Sequence, residues 1–398
     1  MNRQTVLISG LGIAGPTLAY WLKAAGFAPT LVESAPALRS GGYIIDFWGL
    51  GYDIAERMGL LDEIHRVGYR VREMRIVDDH GARITGFGTS VFAELTGGRF
   101  VSLARSDLSR LLFETVKDGT ETIFGDEIAD LRQEDGHVEV RFRQAGERRF
   151  DLVIGADGLH SAVRRLAFGP KSHFEKNLGY GVAAFEVRGY RPRDEDVYVM
   201  YGRPGLMLGR FTQRGEKTLF LFVFSTDAGE LPSRLDLQKA LLRDRYHDAK
   251  WESPRVLDEL EQTQELYLDR VSQIRMESWS HGRVALLGDA AFCVSLLAGQ
   301  GSALAMISAY VLAGELMRAG GRHDEAFAGY EALLRPFISA KQRGAEGFAG
   351  MFAPQTAWGL QLRNYVIKAF AIPGLARLAV GRDIVDKLSL PAYDWPAA

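Results

Sequence analysis

Three times along this chain a short apolar run breaks directly into a glycine turn and then into a helical pattern: Thr5 to Ser9, Leu152 to Ile154 and Val284 to Leu287. Runs so short, with no polar residue on alternate positions, predict strands buried on both faces, as in a parallel sheet covered by helices. After the first run, Gly10, Gly12 and Gly15 stand at G-x-G-x-x-G spacing. Pro16 to Ala25 then reads as a helix ended by Gly26, and Thr30 to Val32 as a second strand with Glu33 at its tip. After the second, Gly155-Ala156-Asp157-Gly158 predicts a tight turn and Ser161 the cap of a helix beginning at Ala162. After the third, Gly288-Asp289-Ala290-Ala291 is again a turn, and Gly299-Gln300-Gly301 leads into a small-residue helix from Ser302 to Glu315.

Between these units the pattern changes. The loop Arg39-Ser40-Gly41-Gly42 precedes an apolar segment, Tyr43 to Phe47, and a helical stretch from Gly49 to Leu60; Met74 to Asp78, Ile84 to Phe87 and Val91 to Leu95 read as short strands. Ser102 to Val116 has apolar residues at helical spacing, and Thr122 to Phe150 reads as strands joined by polar turns. From Asn177 to Phe224 four aromatic-rich strands alternate with glycine turns, followed by helices over Leu235 to Tyr246 and Ser253 to Thr263. Tyr330 to Ala398 is mainly helical, with a break at Ala369 to Gly374. Trp358, Leu362, Tyr365, Val366 and Ala369 make one stripe on its helix, expected to close over a seam between domains. The expected organisation is α/β: a discontinuous dinucleotide domain (1–70, 100–170 and 271–330), a substrate domain built on an antiparallel sheet (71–99 and 171–270) and a helical C-terminal segment (331–398).

Composition narrows the choice of partner. The chain has 398 residues, 47% hydrophobic and 25% charged, with a formal net charge of −2, so no basic field recommends nucleic acid. The single cysteine, Cys293, excludes an intrachain disulfide or a thiolate metal cluster, and the eight histidines lack ligand spacing, so no metal is assigned. No apolar run reaches the roughly 18 to 20 residues a membrane span needs. The first apolar run is interrupted by turn glycines and continues into a helix carrying Lys23, which argues against a signal peptide. A soluble, cytoplasmic, monomeric protein is expected.

The chemistry lies in the turns. In a G-x-G-x-x-G turn, Gly10 permits the sharp bend, Gly12 lets backbone approach a pyrophosphate, and Gly15 lets helix pack on strand. The N–H groups around Ile13 and Ala14 then face the phosphates. Glu33 is placed to accept hydrogen bonds from a ribose. Arg39, before its glycine pair, is a candidate phosphate contact. Asp157 falls at a strand's carboxyl end, where open α/β sheets bind ligands. Asp289, Gly299 and Gly301 let backbone meet a bulky flat group. In the aromatic-rich sheet, Phe185, Tyr201, Met207, Arg210 and Phe222 are candidates for a face presented to a large apolar ligand.

Taken together, GLGIAG at 10 to 15 with Glu33, GADGLHS at 155 to 161, and GDAAF at 288 to 292 with GQG at 299 to 301 resemble the class A flavoprotein monooxygenases, the fold of para-hydroxybenzoate hydroxylase. The likeness covers essentially the whole chain. It is strongest to the tetracycline destructase branch, through AGPTLAYWLKAAGF, the Arg39 loop, Arg105 before its helix, and Leu390-Pro391-Ala392-Tyr393. The resemblance implies a Rossmann-like FAD-binding domain in which the first motif and Arg105 bind FAD. It also implies that Asp157 belongs to a motif linked to FAD and NAD(P)H, that Asp289 holds the ribityl side, and that Gly299 and Gly301 lie against the flavin ring. NADH or NADPH would be a transient co-substrate, and reduced flavin would react with O2 to a C4a-hydroperoxide that oxygenates an aromatic or polycyclic small molecule. Ser295, Leu296 and Leu297 stand where the family commonly has a proline, and Ala303 where an asparagine is often found. No dedicated acid or base is assigned. The alternatives are a flavin-dependent halogenase or reductase on the same scaffold, or a non-catalytic FAD-containing drug-binding protein; a halogenase's W-x-W-x-I-P stretch is absent.

Overall fold

The computed structural model describes residues 3–39, 43–89, 96–227, 229–370 and 388–396. The expected strand at 91–95, the glycine pair at 41–42 and most of the break at 369–374 lie outside them.

The three strand–turn–helix units share one sheet. β1 (Thr5–Ser9) is followed by helix α1 (Ala14–Ala24) and β2 (Ala28–Glu33), and the two strands pair in parallel from Thr5↔Ala28 to Ser9↔Val32. The hairpin-like pair β3 (Ile44–Trp48) and β6 (Phe100–Ala104) stands apart from this sheet, with helices α2 (Gly49–Arg57) and α3 (Leu61–Val67) between them in the chain. Ser102 to Ala104, expected to open a helix, are therefore strand, and helix α4 begins only at Arg105 (Arg105–Glu114). The ladder to β3 prevails there because it buries Val101 and Leu103 on one face against Ile45 and Phe47.

β4 (Glu73–Val77) and β5 (Arg83–Gly88) join a second sheet described below. β7 (Glu121–Phe124) completes one edge of the first sheet, while β8 (Ile128–Glu134), β9 (His137–Phe142) and β10 (Glu147–Phe150) form a separate antiparallel meander. β11 (Leu152–Gly155) returns to the other side of β1, with its register running from Val6↔Leu152 to Ser9↔Gly155, and helix α5 (Ala162–Ala167) follows its turn.

The chain then builds β12 (Glu175–Arg188), β13 (Val197–Arg203), β14 (Leu206–Thr212) and β15 (Lys217–Ser225), covered by α6 (Leu235–Tyr246) and α7 (Ser253–Gln262), and adds β16 (Tyr267–Ile274). The order of this seven-stranded sheet is β16-β12-β15-β14-β13-β4-β5. β16 was not anticipated, because Asp269, Arg270, Ser272 and Gln273 hide its apolar positions. β17 (Ser280–His281) and β18 (Val284–Leu286) finish the first sheet, whose order is β17-β18-β11-β1-β2-β7.

After the short helix α8 (Asp289–Phe292), α9 (Gly301–Arg318) runs through the core with almost every residue from Leu304 to Leu316 buried, as an apolar helix without a polar face must. Its small residues allow close neighbours. A Cβ on Gly51 of α2 would lie 2.7 Å from Ala303, so the alanine at that position is matched to a backbone contact.

Two long helices end the fold: α10 (His323–Phe352), starting earlier than Tyr330, and α11 (Ala357–Phe370), which rests on β5 and β13. The expected apolar stripe does not make that contact. Trp358, Leu362 and Tyr365 are 71%, 47% and 71% exposed, while Arg363 and Ile367 are buried. The reason lies in what Arg363 meets. Arg363 donates to the carbonyl of Phe352 at 3.2 Å and lies over Gly202 of β13, where a Cβ would come within 3.2 Å of its Nη1, so the face carrying Arg363 and Ile367 is the one turned inward. The terminal segment instead straps the first domain: Trp395 lies 4.6 Å from the Trp21 ring and 5.6 Å from Tyr310, and Tyr393 donates to Glu315 at 2.7 Å.

Candidate active site

The three turns meet at the carboxyl ends of β1, β11 and β18. Gly10 adopts φ +106°, and a Cβ there would sit 2.6 Å from the carbonyl oxygen of Ala156, so the first and second motifs touch backbone to backbone. Gly15 serves helix packing: its Cβ would fall 1.9 Å from the carbonyl oxygen of Gly10. Gly12 differs from both, since a Cβ there would meet only Arg105 Nη2, at 3.3 Å. Helix α1 starts beside it with no capping side chain and no acidic residue in its first turn. Its first N–H groups, which no helical carbonyl can accept, therefore open toward the space in front of Gly12. Ile13 and Ala14 are buried beneath that turn, with Ala14 Cβ 3.5 Å from where a Cβ on Gly288 of the third motif would be.

Glu33 accepts from the Leu11 N–H at 2.9 Å and from the Ala35 N–H at 3.0 Å, which fixes its carboxylate at the mouth of the glycine turn. Arg39 is exposed and lies 3.6 Å from that carboxylate. Asp157 points back into the protein: it accepts from the Ser161 hydroxyl at 2.5 Å and from the Ala162 and Val163 N–H groups at 2.8 and 3.1 Å. Burial raises its carboxyl pKa, and those bonds oppose the rise. Its position in the structure is thus that of a turn-builder for α5.

Asp289, at the start of α8, is also pushed up by burial, with the Arg105 guanidinium opposing. Gly301 opens α9 with its Cβ position 3.7 Å from Asp289 Oδ1, and Gly299, at φ +67°, has nothing within 4 Å of its Cβ position. Arg105, whose N–H bonds the Tyr43 carbonyl at 3.1 Å, reaches from α4 toward Gly12 and lies over the Tyr43 ring. Arg105 beside Gly12, Asp289 beside Gly301, Ala14 beside Gly288 and Glu33 on the Leu11 N–H thus bring the three motifs together, with Gly10, Ile13 and Gly15 packed beneath the turn, Gly299 open at its Cβ position and Arg39 beside Glu33.

The seven-stranded sheet separates two clusters. Phe185, Tyr201 and Phe222 face Leu242, Tyr246, Val256, Leu257 and Leu260 of α6 and α7. Arg210 is on the same side, buried in bonds to Asp194 and Glu252. Of the five candidates for a ligand-facing surface, only Met207 lies on the other face, with Tyr198, Met200 and Phe211. The correction follows from sheet geometry: odd positions of β13 and even ones of β14 and β15 fall under the helices. The face turned to the cleft carries Tyr180, Val182, Ala184, Tyr198, Leu219 and Val223 and packs against Leu297, from the loop of the third motif, and Ile367 of α11. Tyr43, Asp46, Tyr69 and Tyr267 border this seam. None was singled out in the sequence, although Asp46, a charge inside the apolar strand Ile44–Trp48, was a visible signal.

A model of an FAD binding domain family matches residues 3–341. The chain belongs to that family. It is a class A flavin-dependent monooxygenase, 35% identical over 348 residues to a flavin-dependent monooxygenase of an unknown prokaryotic organism, covering 86% of this chain and 88% of that one. It is 32% identical over 399 residues to a flavin-dependent monooxygenase of Legionella longbeachae, covering 98% of each chain. Among solved structures, the monooxygenase superposes on the tetracycline destructase Tet(51) with TM-score 0.84 and 31% identity, covering 98% of this chain and 100% of that one. The mixed α/β fold is thus that of the para-hydroxybenzoate hydroxylase type, and the chain binds FAD. Among the described residues no helix is long and apolar enough to cross a membrane, and no group of three or more His, Cys, Asp or Glu could hold a metal ion.

Proposed function

We propose that this monooxygenase consumes NADH or NADPH and O2 to add one oxygen atom to an aromatic or polycyclic small molecule, in antibiotic inactivation or natural-product tailoring. The observation that carries the reading is the seam. One wall is the aromatic and aliphatic face of the seven-stranded sheet, and the other is the Leu296–Leu297 turn that follows Asp289. A flat apolar ligand held there would lie beside the flavin-binding cleft.

The residues fit FAD. The uncapped start of α1 in front of Gly12 suits the pyrophosphate, with Arg105 adding charge; Glu33 suits the adenosine ribose; Asp289, Gly299 and Gly301 suit the ribityl chain and ring. When bound, the flavin supplies hydride acceptance from the nicotinamide and oxygen transfer to the substrate. The chain's own residues do the rest. Leu297, Tyr198 and Met207 exclude water from the reacting face, and α11 covers the β13–β5 end of that same face through Ile367. The role of Asp157 is to hold the β11 turn and α5 in place behind the cleft. The names of the tetracycline destructases support a polycyclic substrate. The enzyme acts as a monomer in the cytoplasm.

The test is a screen of polycyclic phenols, tetracyclines included, for stimulated NADH or NADPH oxidation by the FAD-loaded protein, followed by product mass. Product heavier by one oxygen, with label from isotopic O2, is the expected result. Ligand binding without nucleotide oxidation would leave a flavin-containing binding protein instead.

A further inference from the structure

Asp46 borders the seam beside Tyr198. It lies on β3 between Ile45 and Phe47, which turn into the first core, while Ile44, Asp46 and Trp48 take the opposite face. Oδ1 accepts from the Ser102 hydroxyl at 2.5 Å and from the Tyr198 hydroxyl at 3.4 Å; Oδ2 has no partner among the described residues. Ser102 is held by both neighbours, paired with Asp46 in the β3–β6 ladder and bonded through its N–H and carbonyl to Tyr69 at 3.0 and 2.8 Å. Tyr69 brings its hydroxyl beside that of Tyr198, and it makes no hydrogen bond of ordinary geometry.

Among the described residues no cationic side chain acts on Asp46; burial raises its carboxyl pKa, and its two bonded hydroxyls oppose the rise. Burial also holds Tyr198 and Tyr69 well above the ordinary phenol range, so both stay protonated. Tyr198 and Tyr69 belong to the same apolar cluster as Ile44, Met74, Met200, Met207 and Leu297. Asp46 is half-buried, so its Oδ2, without a partner among the described residues, is open to a hydrogen-bond donor, and a donor that fills that place gains a bond to a charged group.

We propose that Asp46 Oδ2, on a carboxylate positioned by Ser102 and Tyr198, forms the subsite that takes a hydrogen-bond-donating substituent of the substrate, a phenolic or enolic hydroxyl on an otherwise apolar ring system. This deepens the reading of the seam as the substrate cavity and rests on it. The substrate hydroxyl donates to Asp46 Oδ2, with the Tyr198 and Tyr69 hydroxyls behind the carboxylate. A ring lacking the hydroxyl, or carrying it as a methyl ether, leaves the carboxylate unpaired. Asp46 is in this sense a specificity residue.

The test uses the FAD-loaded full chain and two probes, naphthol and its methyl ether, with affinities read by titration calorimetry in mildly alkaline buffer. The expected result is a roughly ten- to hundredfold preference for naphthol, the range of one hydrogen bond to a charged group. Asp46→Asn should abolish the preference while FAD content stays at the native level. Asp46→Ser, which also removes the carboxylate, should likewise abolish the preference without touching FAD, and it decides the matter if Asp46→Asn fails to fold. Equal binding of the two probes, a preference that survives Asp46→Asn, or no binding of either probe overturns the proposal. NAD(P)H oxidation stimulated by rings regardless of a hydroxyl would leave the monooxygenase reading standing and remove this one. The naphthol preference without any nucleotide oxidation would do the reverse.

Discussion

Gly12 and Gly15 are three residues apart in one motif, and the structure gives them opposite jobs that a pair of substitutions separates. In Gly12→Val the new Cβ meets only the tip of Arg105, at 3.3 Å, a flexible side-chain end that can swing away, and Gly12 is not at positive φ. The variant should fold with a melting temperature near that of the native chain. Its two methyl groups, however, project into the space where the pyrophosphate must approach the N–H groups of α1. Losing two charge-assisted hydrogen bonds at about 1.5 to 3 kcal/mol each lowers FAD affinity by about 3 to 6 kcal/mol, at least a hundredfold. In Gly15→Ala the added Cβ falls 1.9 Å from the Gly10 carbonyl oxygen, which is backbone and cannot rotate away. Helix α1 must move off β1, at about 3 kcal/mol or more for an overpacked contact between two rigid elements. The assay is differential: flavin-to-protein ratio from absorbance after desalting, and unfolding of the apoprotein followed by circular dichroism. Gly12→Val should be colourless and stable, Gly15→Ala unstable whatever its colour. A yellow Gly12→Val with native stoichiometry, or a Gly15→Ala that unfolds with the wild type, refutes the assignment of roles.

Glu33→Ala should weaken FAD by about 1 to 3 kcal/mol, measured by titrating apoprotein, and part of that loss will come from freeing the Leu11 N–H that Glu33 now accepts. Phe222→Ala should destabilise the protein by about 3 to 5 kcal/mol while leaving substrate KM unchanged, because its ring is covered by α6 and α7; a raised KM with native stability would put the substrate on the wrong face of the sheet. Trp395→Ala should lower the unfolding free energy by about 2 kcal/mol, below the range for a fully buried ring, through loss of the contacts with Trp21 and Tyr310. For that reason truncation at residue 355 should cost overall stability as well as uncouple NAD(P)H oxidation, and replacing Ile367 alone is the cleaner probe of closure by α11. Ile367→Ala with unchanged peroxide yield would count against a closing role.

The sequence alone determined the parts governed by local sterics. A glycine turn between a buried strand and a helix can be read from residue types, because a Cβ at Gly10 or Gly15 collides with backbone only a few residues or one strand away. The same holds for the turn at Asp157, whose partners, Ser161, Ala162 and Val163, are its chain neighbours. Strand and helix positions over most of the chain followed from periodicity for the same reason.

What it could not decide was which face of an element is used. In the seven-stranded sheet both faces are apolar and aromatic, so period-two alternation carries no label. Only the placement of α6 and α7 makes Phe185, Tyr201 and Phe222 core and leaves Tyr198 and Met207 to the seam. The stripe on α11 failed likewise: its apolar spacing is real, but Arg363 packs over Gly202 and Ile367 enters the sheet's apolar cluster, so Trp358 and Tyr365 face outward. Asp46, Ser102, Tyr69 and Tyr198 come from β3, β6, the loop after α3, and β13, up to 152 residues apart. A cluster assembled from four such segments has no spacing to read, so it exists only once the sheet has closed over the cleft.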